Sequence, residues 1–181
     1  MQAVALFSKQ GRVRATMRTL ILFRHAKAVR PHEAESDKAR GLTGRGRREA
    51  ALAGAAMEDA GLKPALALVS TSQRTRETAE HGLANFKLQT EFDEALYHAE
   101  PESIWDAFSE SEAESVVMVG HNPGIGELVS MLVRQAHDNS RMARDLAGHF
   151  PTAAFAAFEI RGDVLSAAGP TLLAAWKADR D

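Results

Sequence analysis

Apolar residues fall into short runs along the chain, separated by polar, glycine-bearing stretches, and the runs carry two different periods. "TLILF" (19–23), "ALALVS" (65–70) and "SVVMVG" (115–120) are continuous and bounded by polar residues, the pattern of strands buried on both faces. "LQTEF" (88–92), "AAFAAFEI" (153–160) and "LLAAW" (172–176) predict further strands. Between them the spacing lengthens. Residues 45–60 are rich in Ala, Glu and Arg, with Gly61 where a C-cap belongs, which predicts a helix; residues 73–86 predict a second. "PESIWDAFSE" predicts a third, with Pro101 in its first turn and Ile104, Trp105 and Phe108 on its inner side. From 124 to 136, Ile125, Leu128, Val129 and Leu132 recur at i, i+3, i+4 and i+7 and predict a fourth.

Strands alternating with helices predict an α/β fold, a mostly parallel central sheet with helices on both faces in a three-layer α/β/α sandwich. In such sheets ligands sit outside the carboxyl ends of the strands. Three predicted strands end on basic side chains: Arg24 and His25 follow the first, Arg74 opens the helix after the second, and His121 follows "SVVMVG". Parallel pairing would bring all four to one rim. Taken singly, a histidine at a strand end is a solvated polar residue, and Arg74 lies on a helix face; Arg76 pairs with Glu80 at i, i+4. Together, two guanidinium groups and two imidazoles require an anion to offset their repulsion, and a phosphoryl group fits that need.

Those residue types set the chemistry. A neutral imidazole attacks phosphorus to give a phosphohistidine intermediate, and neighbouring arginines keep the imidazole neutral by lowering its pKa. Arginines also orient the phosphoryl group and stabilise its transition-state charge. The chain has no H-E-x-x-H, no cysteine cluster and no G-x-x-x-x-G-K-[ST] loop, and the chemistry calls for no metal or cofactor. Gly124 and Gly126 in "NPGIGE" shape a turn into a helix, without the third glycine or the acid of a dinucleotide site.

Composition narrows the class. The chain has 181 residues, 45% apolar and 25% charged, as expected of one globular domain. With 22 Lys and Arg against 24 Asp and Glu the formal charge is −2, which argues against a nucleic-acid-coating protein. Cysteine is absent, so thiolate chemistry and disulfides are excluded, and a reducing, cytoplasmic location is expected. No apolar run reaches the ~20 residues of a membrane span. Residues 1–17 carry Lys9, Arg12 and Arg14 and no acid; they read as an extension ahead of a single domain at 18–181, with Met17 an alternative start. A transit peptide fits the same composition; a secretory signal does not, because the basic residues follow the apolar run. Arg45, Arg47 and Arg48 read as a solvated helix start, with guidance of an anionic partner as the other reading.

"LFRHAKA", "STSQRTRETA" and "VGHNPG", in that order, resemble the motifs of the histidine phosphatase superfamily. The short, uninterrupted chain resembles its SixA-like phosphohistidine phosphatase subgroup. "DKARGLTGRGRREA", "DEALYHA" and "FPTAAFAAFEI" also resemble family segments, so the likeness spans about residues 18–177. The resemblance implies a phosphoglycerate mutase-like fold, with His25 as the phospho-accepting nucleophile. Arg24 and Arg74 match the phosphate-binding arginines, and His121 matches the second pocket histidine, which donates to the phosphoryl group. For the proton donor, Glu94 is the nearest candidate, with Asp93 and Glu91 beside it. The implied partner is a protein bearing phosphohistidine, and a small phosphomonoester is the alternative substrate. A phosphate-binding module without turnover is the reading from another class.

Overall fold

The computed structural model describes residues 17–161 and 169–178. The N-terminal extension predicted above therefore lies outside the described residues except for Met17, which opens the first strand. Among the described residues the sheet has six strands: β1 (Met17–Arg24), β2 (Leu66–Ser70), β3 (Gln89–Asp93), β4 (Ser115–Gly120), β5 (Phe155–Arg161) and β6 (Thr171–Trp176). Their spatial order is β3-β2-β4-β1-β5-β6. The β2–β3, β2–β4 and β1–β4 pairs are parallel, and the β1–β5 and β5–β6 pairs are antiparallel. The mostly parallel sheet predicted from the pattern is thus observed.

Among the described residues five α-helices cover it: α1 (Gly44–Asp59), α2 (Gln73–Gly82), α3 (Pro101–Glu110), α4 (Gly124–Gln135) and α5 (Arg141–Gly148). Alternation along the central strands divides the core in two. Leu20, Leu22, Leu68, Val116 and Met118 pack with α3, α4 and α5 on one face. Ile21, Phe23, Ala67, Val69, Val117 and Val119 pack with α1 and α2 on the other. Because both faces are covered, these strands carry continuous apolar runs with no polar alternation.

Local chemistry sets the helix ends. Thr43 caps α1 by accepting from the Gly46 amide. Beyond its C-terminus Gly61 takes φ +73°, and the amides of Gly61 and Leu62 bond back to Glu58 O and Met57 O. The second helix is shorter than the predicted 73–86: Leu83 leaves helical geometry as it enters the core, and α2 stops at Gly82. The pattern did not announce α5, because only Ala143 and Leu146 are buried along it. The two helices α1 and α2 approach so closely that a Cβ on Gly54 would stand 2.1 Å from the Gly82 carbonyl oxygen. Neither backbone can yield without moving a helix.

Within a helix, Gly→Ala ordinarily raises stability by up to ~1 kcal/mol. Gly54→Ala is expected to do the reverse, lowering unfolding free energy by about 1–3 kcal/mol through overpacking, as read from the urea midpoint. A stabilised variant would show that the two helices are not in contact there.

Candidate active site

Register brings the strand ends level. Arg24 pairs with Gly120, and Val119 pairs with both Phe23 and Val69, so Ser70, Gly120 and Arg24 terminate side by side. The next residues deliver the chemistry. His25 continues from β1 with its amide bonded to Gly120 O at 3.0 Å, and His121 continues from β4. In α2, Ser72 caps the helix and Arg74 projects from its first turn. Further along, Thr78 accepts from the Ala26 amide at 3.0 Å and ties α2 to the residue after His25. One cavity of about 290 Å³ is lined by Arg24, His25, Arg74 and His121, so the four residues predicted to share a rim do share one.

Each is held by specific partners. Arg24 Nη1 donates to Phe150 O at 2.7 Å, and Asn122 Nδ2 donates to the same carbonyl at 3.0 Å. Arg24 Nε is buried without a partner, an open donor that calls for an acceptor. Arg74 is 2% exposed; its Nη1 donates to Asp37 O at 2.6 Å and its Nη2 to Asp37 Oδ2 at 2.9 Å. His25 Nδ1 lies 2.9 Å from Ala26 O. A carbonyl only accepts, so Nδ1 carries the proton and Nε2 keeps its lone pair. The His25 and His121 ring centroids are 5.3 Å apart.

Four more side chains join the site that the sequence did not single out: Asp37, Arg40, Tyr97 and His98. The polar segment after β1 folds back on the site, with Gln73 N bonded to Lys38 O and Arg40 Nε to Val29 O. That fold-back carries Asp37 to the cavity, where its carboxylate accepts from Arg40 Nη1 at 2.8 Å, from Tyr97 Oη at 2.8 Å and from Arg74. The His98 ring stacks on that of His121 at 5.1 Å. The signal in the sequence was "DKARG", whose Asp and Arg are three apart, but loop residues follow no period that would aim them. The structure thus supplies one anion of its own to the cationic cluster.

Arg76 does not pair with Glu80. Its Nε donates to Thr71 O at 3.0 Å, and its guanidinium lies 4.0 Å from the Phe92 ring centroid, over an aromatic on the exposed sheet edge. Arg45 bonds Glu49 within α1, and Arg47 reaches Glu77. Glu94 stands outside the cavity lining, with Oε2 accepting from Lys38 Nζ and Thr71 Oγ1. Lys38 first, then Thr71, holds its pKa below the usual carboxylate value, so the group is ionised and has no proton to give at neutral pH. Asp93 Oδ1 accepts from the Ala95 amide, and exposed Glu91 accepts from Gln89. Neither reaches the cavity. Among the described residues, no group of three or more His, Cys, Asp or Glu side chains stands together as a metal site, and no helix is long and apolar enough to cross a membrane.

Burial governs the electrostatics. It is the largest cause lowering the His25 pKa from 6.5 to about 3; the Ala26 carbonyl opposes it, and Arg74, Arg24 and Arg40 add to it. His121 is likewise lowered to about 3, by burial first and then by His25, Arg74 and His98, against a raising effect of Asp37. The hydrogen bond from Arg40 is the main cause holding Asp37 far below its usual value, and Tyr97 and Arg74 assist. At neutral pH His25 and His121 are therefore neutral, beside cationic guanidiniums and the Asp37 carboxylate.

Known proteins resemble this chain in sequence and in fold. A family model described as Histidine phosphatase superfamily (branch 1) matches residues 20–100. An uncharacterized protein of Mycobacterium leprae is 30% identical over 146 residues, covering 77% of this chain and 88% of its own length. A Nakamurella multipartitia structure described as a phosphohistidine phosphatase SixA superposes with a TM-score of 0.75 at 31% identity, covering 90% of this chain and 97% of that one. An Agrobacterium tumefaciens structure described in the same terms gives a TM-score of 0.74 at 25% identity over 89% of this chain and 99% of that one. The chain belongs to the histidine phosphatase superfamily, and its α/β fold is the phosphoglycerate mutase-like one of these neighbours.

Since both histidines have folded-state values below 6.5, the native state binds fewer protons than the unfolded chain between pH 6.5 and 3. Stability contributed by these groups accordingly falls as pH drops through that interval. In an NMR titration of the folded protein, the imidazole signals of His25 and His121 are expected to stay in their neutral positions from about pH 8 to about pH 5. A midpoint near the free-histidine value for either ring would contradict the assigned environment.

Proposed function

We propose that the protein is a phosphatase that forms a covalent phosphohistidine on His25 and prefers phosphohistidine carried on a protein partner. The observation that carries this reading is His25 Nδ1 against a carbonyl oxygen, which leaves Nε2 its lone pair, in one cavity with Arg24, Arg74 and His121. In the first step that lone pair attacks phosphorus, the N–P bond forms, and the bond to the leaving group breaks, the leaving group keeping the electron pair and taking a proton from solvent. In the second step water attacks phosphorus, the N–P bond breaks, and inorganic phosphate leaves while water's proton passes to solvent. Arg24 and Arg74 bind the phosphoryl oxygens, and His121 donates to one of them, so charge developing on those oxygens meets fixed donors.

The Glu94 environment bears on the substrate. A carboxylate held ionised by Lys38 and Thr71 does not protonate a leaving group. An imidazole leaves more readily than an alkoxide and depends less on such help, which favours a phosphohistidine substrate. The two solved structures described as phosphohistidine phosphatases support the same preference. The cavity also opens onto surface that includes exposed Lys27, Asp37 and His98, where a partner's side chain can enter. A small phosphomonoester is the second reading. It is favoured by an adjoining cavity of about 400 Å³ that shares Arg24, Lys27 and Thr152 and would house a small leaving group.

Hydrolysis of a generic aryl phosphate should be measurable for the wild type and absent for His25→Ala. Arg74→Ala should lower kcat by at least ~100-fold, the scale of one lost transition-state contact. A phosphohistidine protein should exceed small phosphoesters in kcat/KM, and the opposite ranking would select the second reading. Phosphate binding without turnover in the wild type would leave a binding module.

A further inference from the structure

The last residue of β2, Ser70, has no exposed surface, and its hydroxyl oxygen lies 2.8 Å from His121 Nε2. His121 is itself 3% exposed, and its other ring nitrogen, Nδ1, is buried with no hydrogen-bond partner. The rings around it constrain it from three sides: His98 stacks at 5.1 Å, Tyr97 meets it edge-on at 5.4 Å, and His25 lies at 5.3 Å. A neutral imidazole has one N–H, so what Ser70 does at Nε2 decides what Nδ1 can offer. If Nε2 donated to the hydroxyl, Nδ1 would present a lone pair to a ligand whose oxygens only accept.

We propose that Ser70 is a positioning residue that fixes the tautomer of His121: its hydroxyl donates to Nε2, so the ring proton sits on Nδ1 for a phosphoryl oxygen. The inference rests on the phosphatase reading above, since it assigns His121 its donor role there. Three properties suit Ser70 to this task. Its hydroxyl rotates freely, so it donates where a fixed acceptor could not. It is rigidly placed, because its carbonyl accepts from Thr75 Oγ1 at 2.7 Å and its strand is paired on both sides. It is fully buried, which shields its bond to Nε2 from bulk solvent. His25 and His121 are then oriented by complementary means. A carbonyl puts the His25 proton on Nδ1 and leaves Nε2 to attack, while a hydroxyl puts the His121 proton on Nδ1 to donate.

Two measurements test this. With nitrogen-15-labelled histidine and saturating inorganic phosphate, His121 in the wild type should show Nδ1 as the protonated nitrogen and Nε2 as the unprotonated one. The reverse pattern would overturn the proposal, whatever the variants do. In kinetics, Ser70→Ala should lower kcat at least ~10-fold and weaken inhibition by phosphate, because a misassigned tautomer removes a donor without removing the ring. Ser70→Thr should restore most of kcat, since it keeps the hydroxyl. A folded Ser70→Ala with wild-type kcat and phosphate inhibition would also overturn it; if that variant does not fold, the wild-type spectrum alone decides. Failure of the phosphatase reading itself would look different, as wild-type protein that never turns over an aryl phosphate.

Discussion

Parallel registration of β1, β4 and β2 is the constraint from which the site follows. Phe23, Val119 and Val69 lie at one level of the ladder, so the chain leaves three adjacent strands at the same height. The residues that follow need no long reach to converge. A slip of one residue on β4 would also exchange Val117 and Val119 with Val116 and Met118 between the two core faces. Packing of the interior and placement of His121 are therefore specified by the same pairing.

Convergence alone would produce a crowd of cations, and the fold relieves this in two ways. Burial keeps both imidazoles neutral, which removes their charge and preserves a lone pair for chemistry. Asp37, carried in by the polar segment after β1, neutralises part of the guanidinium charge and holds Arg74 by two acceptors, a backbone oxygen and a carboxylate oxygen. On the proposed reading, a phosphoryl group entering the cavity would meet these donors at the cost of proximity to that carboxylate. The balance leaves Arg24 Nε and His121 Nδ1 open, two buried polar atoms whose needs an oxyanion would meet.

How much of this could be read from the chain varies by residue for physical reasons. The central strands were legible because burial on both faces leaves uninterrupted apolar runs, and β4 is the clearest of them. The α4 helix was legible because Ile125, Leu128, Val129 and Leu132 form one apolar stripe. Arg24, His25, Arg74 and His121 could be placed together because each is tied to an element end whose direction the α/β alternation sets. Asp37, Arg40 and Tyr97 could not, since loop residues are aimed by tertiary hydrogen bonds. Ser70 was hidden for another reason: at the end of a buried strand a serine looks like a mere boundary, and only coordinates show its hydroxyl against an imidazole. Arg76 went to a carbonyl and the face of Phe92 because sheet-edge partners compete with an i, i+4 acid.

The central claim is that phosphorus is displaced twice, first by His25 and then by water. Each in-line displacement inverts configuration at phosphorus, so the number of steps is recorded in the product. Hydrolysis of a chiral thiophosphate ester in isotopically labelled water measures it most directly. The account predicts net retention; net inversion would show that water attacks the substrate itself and that His25 carries no covalent intermediate.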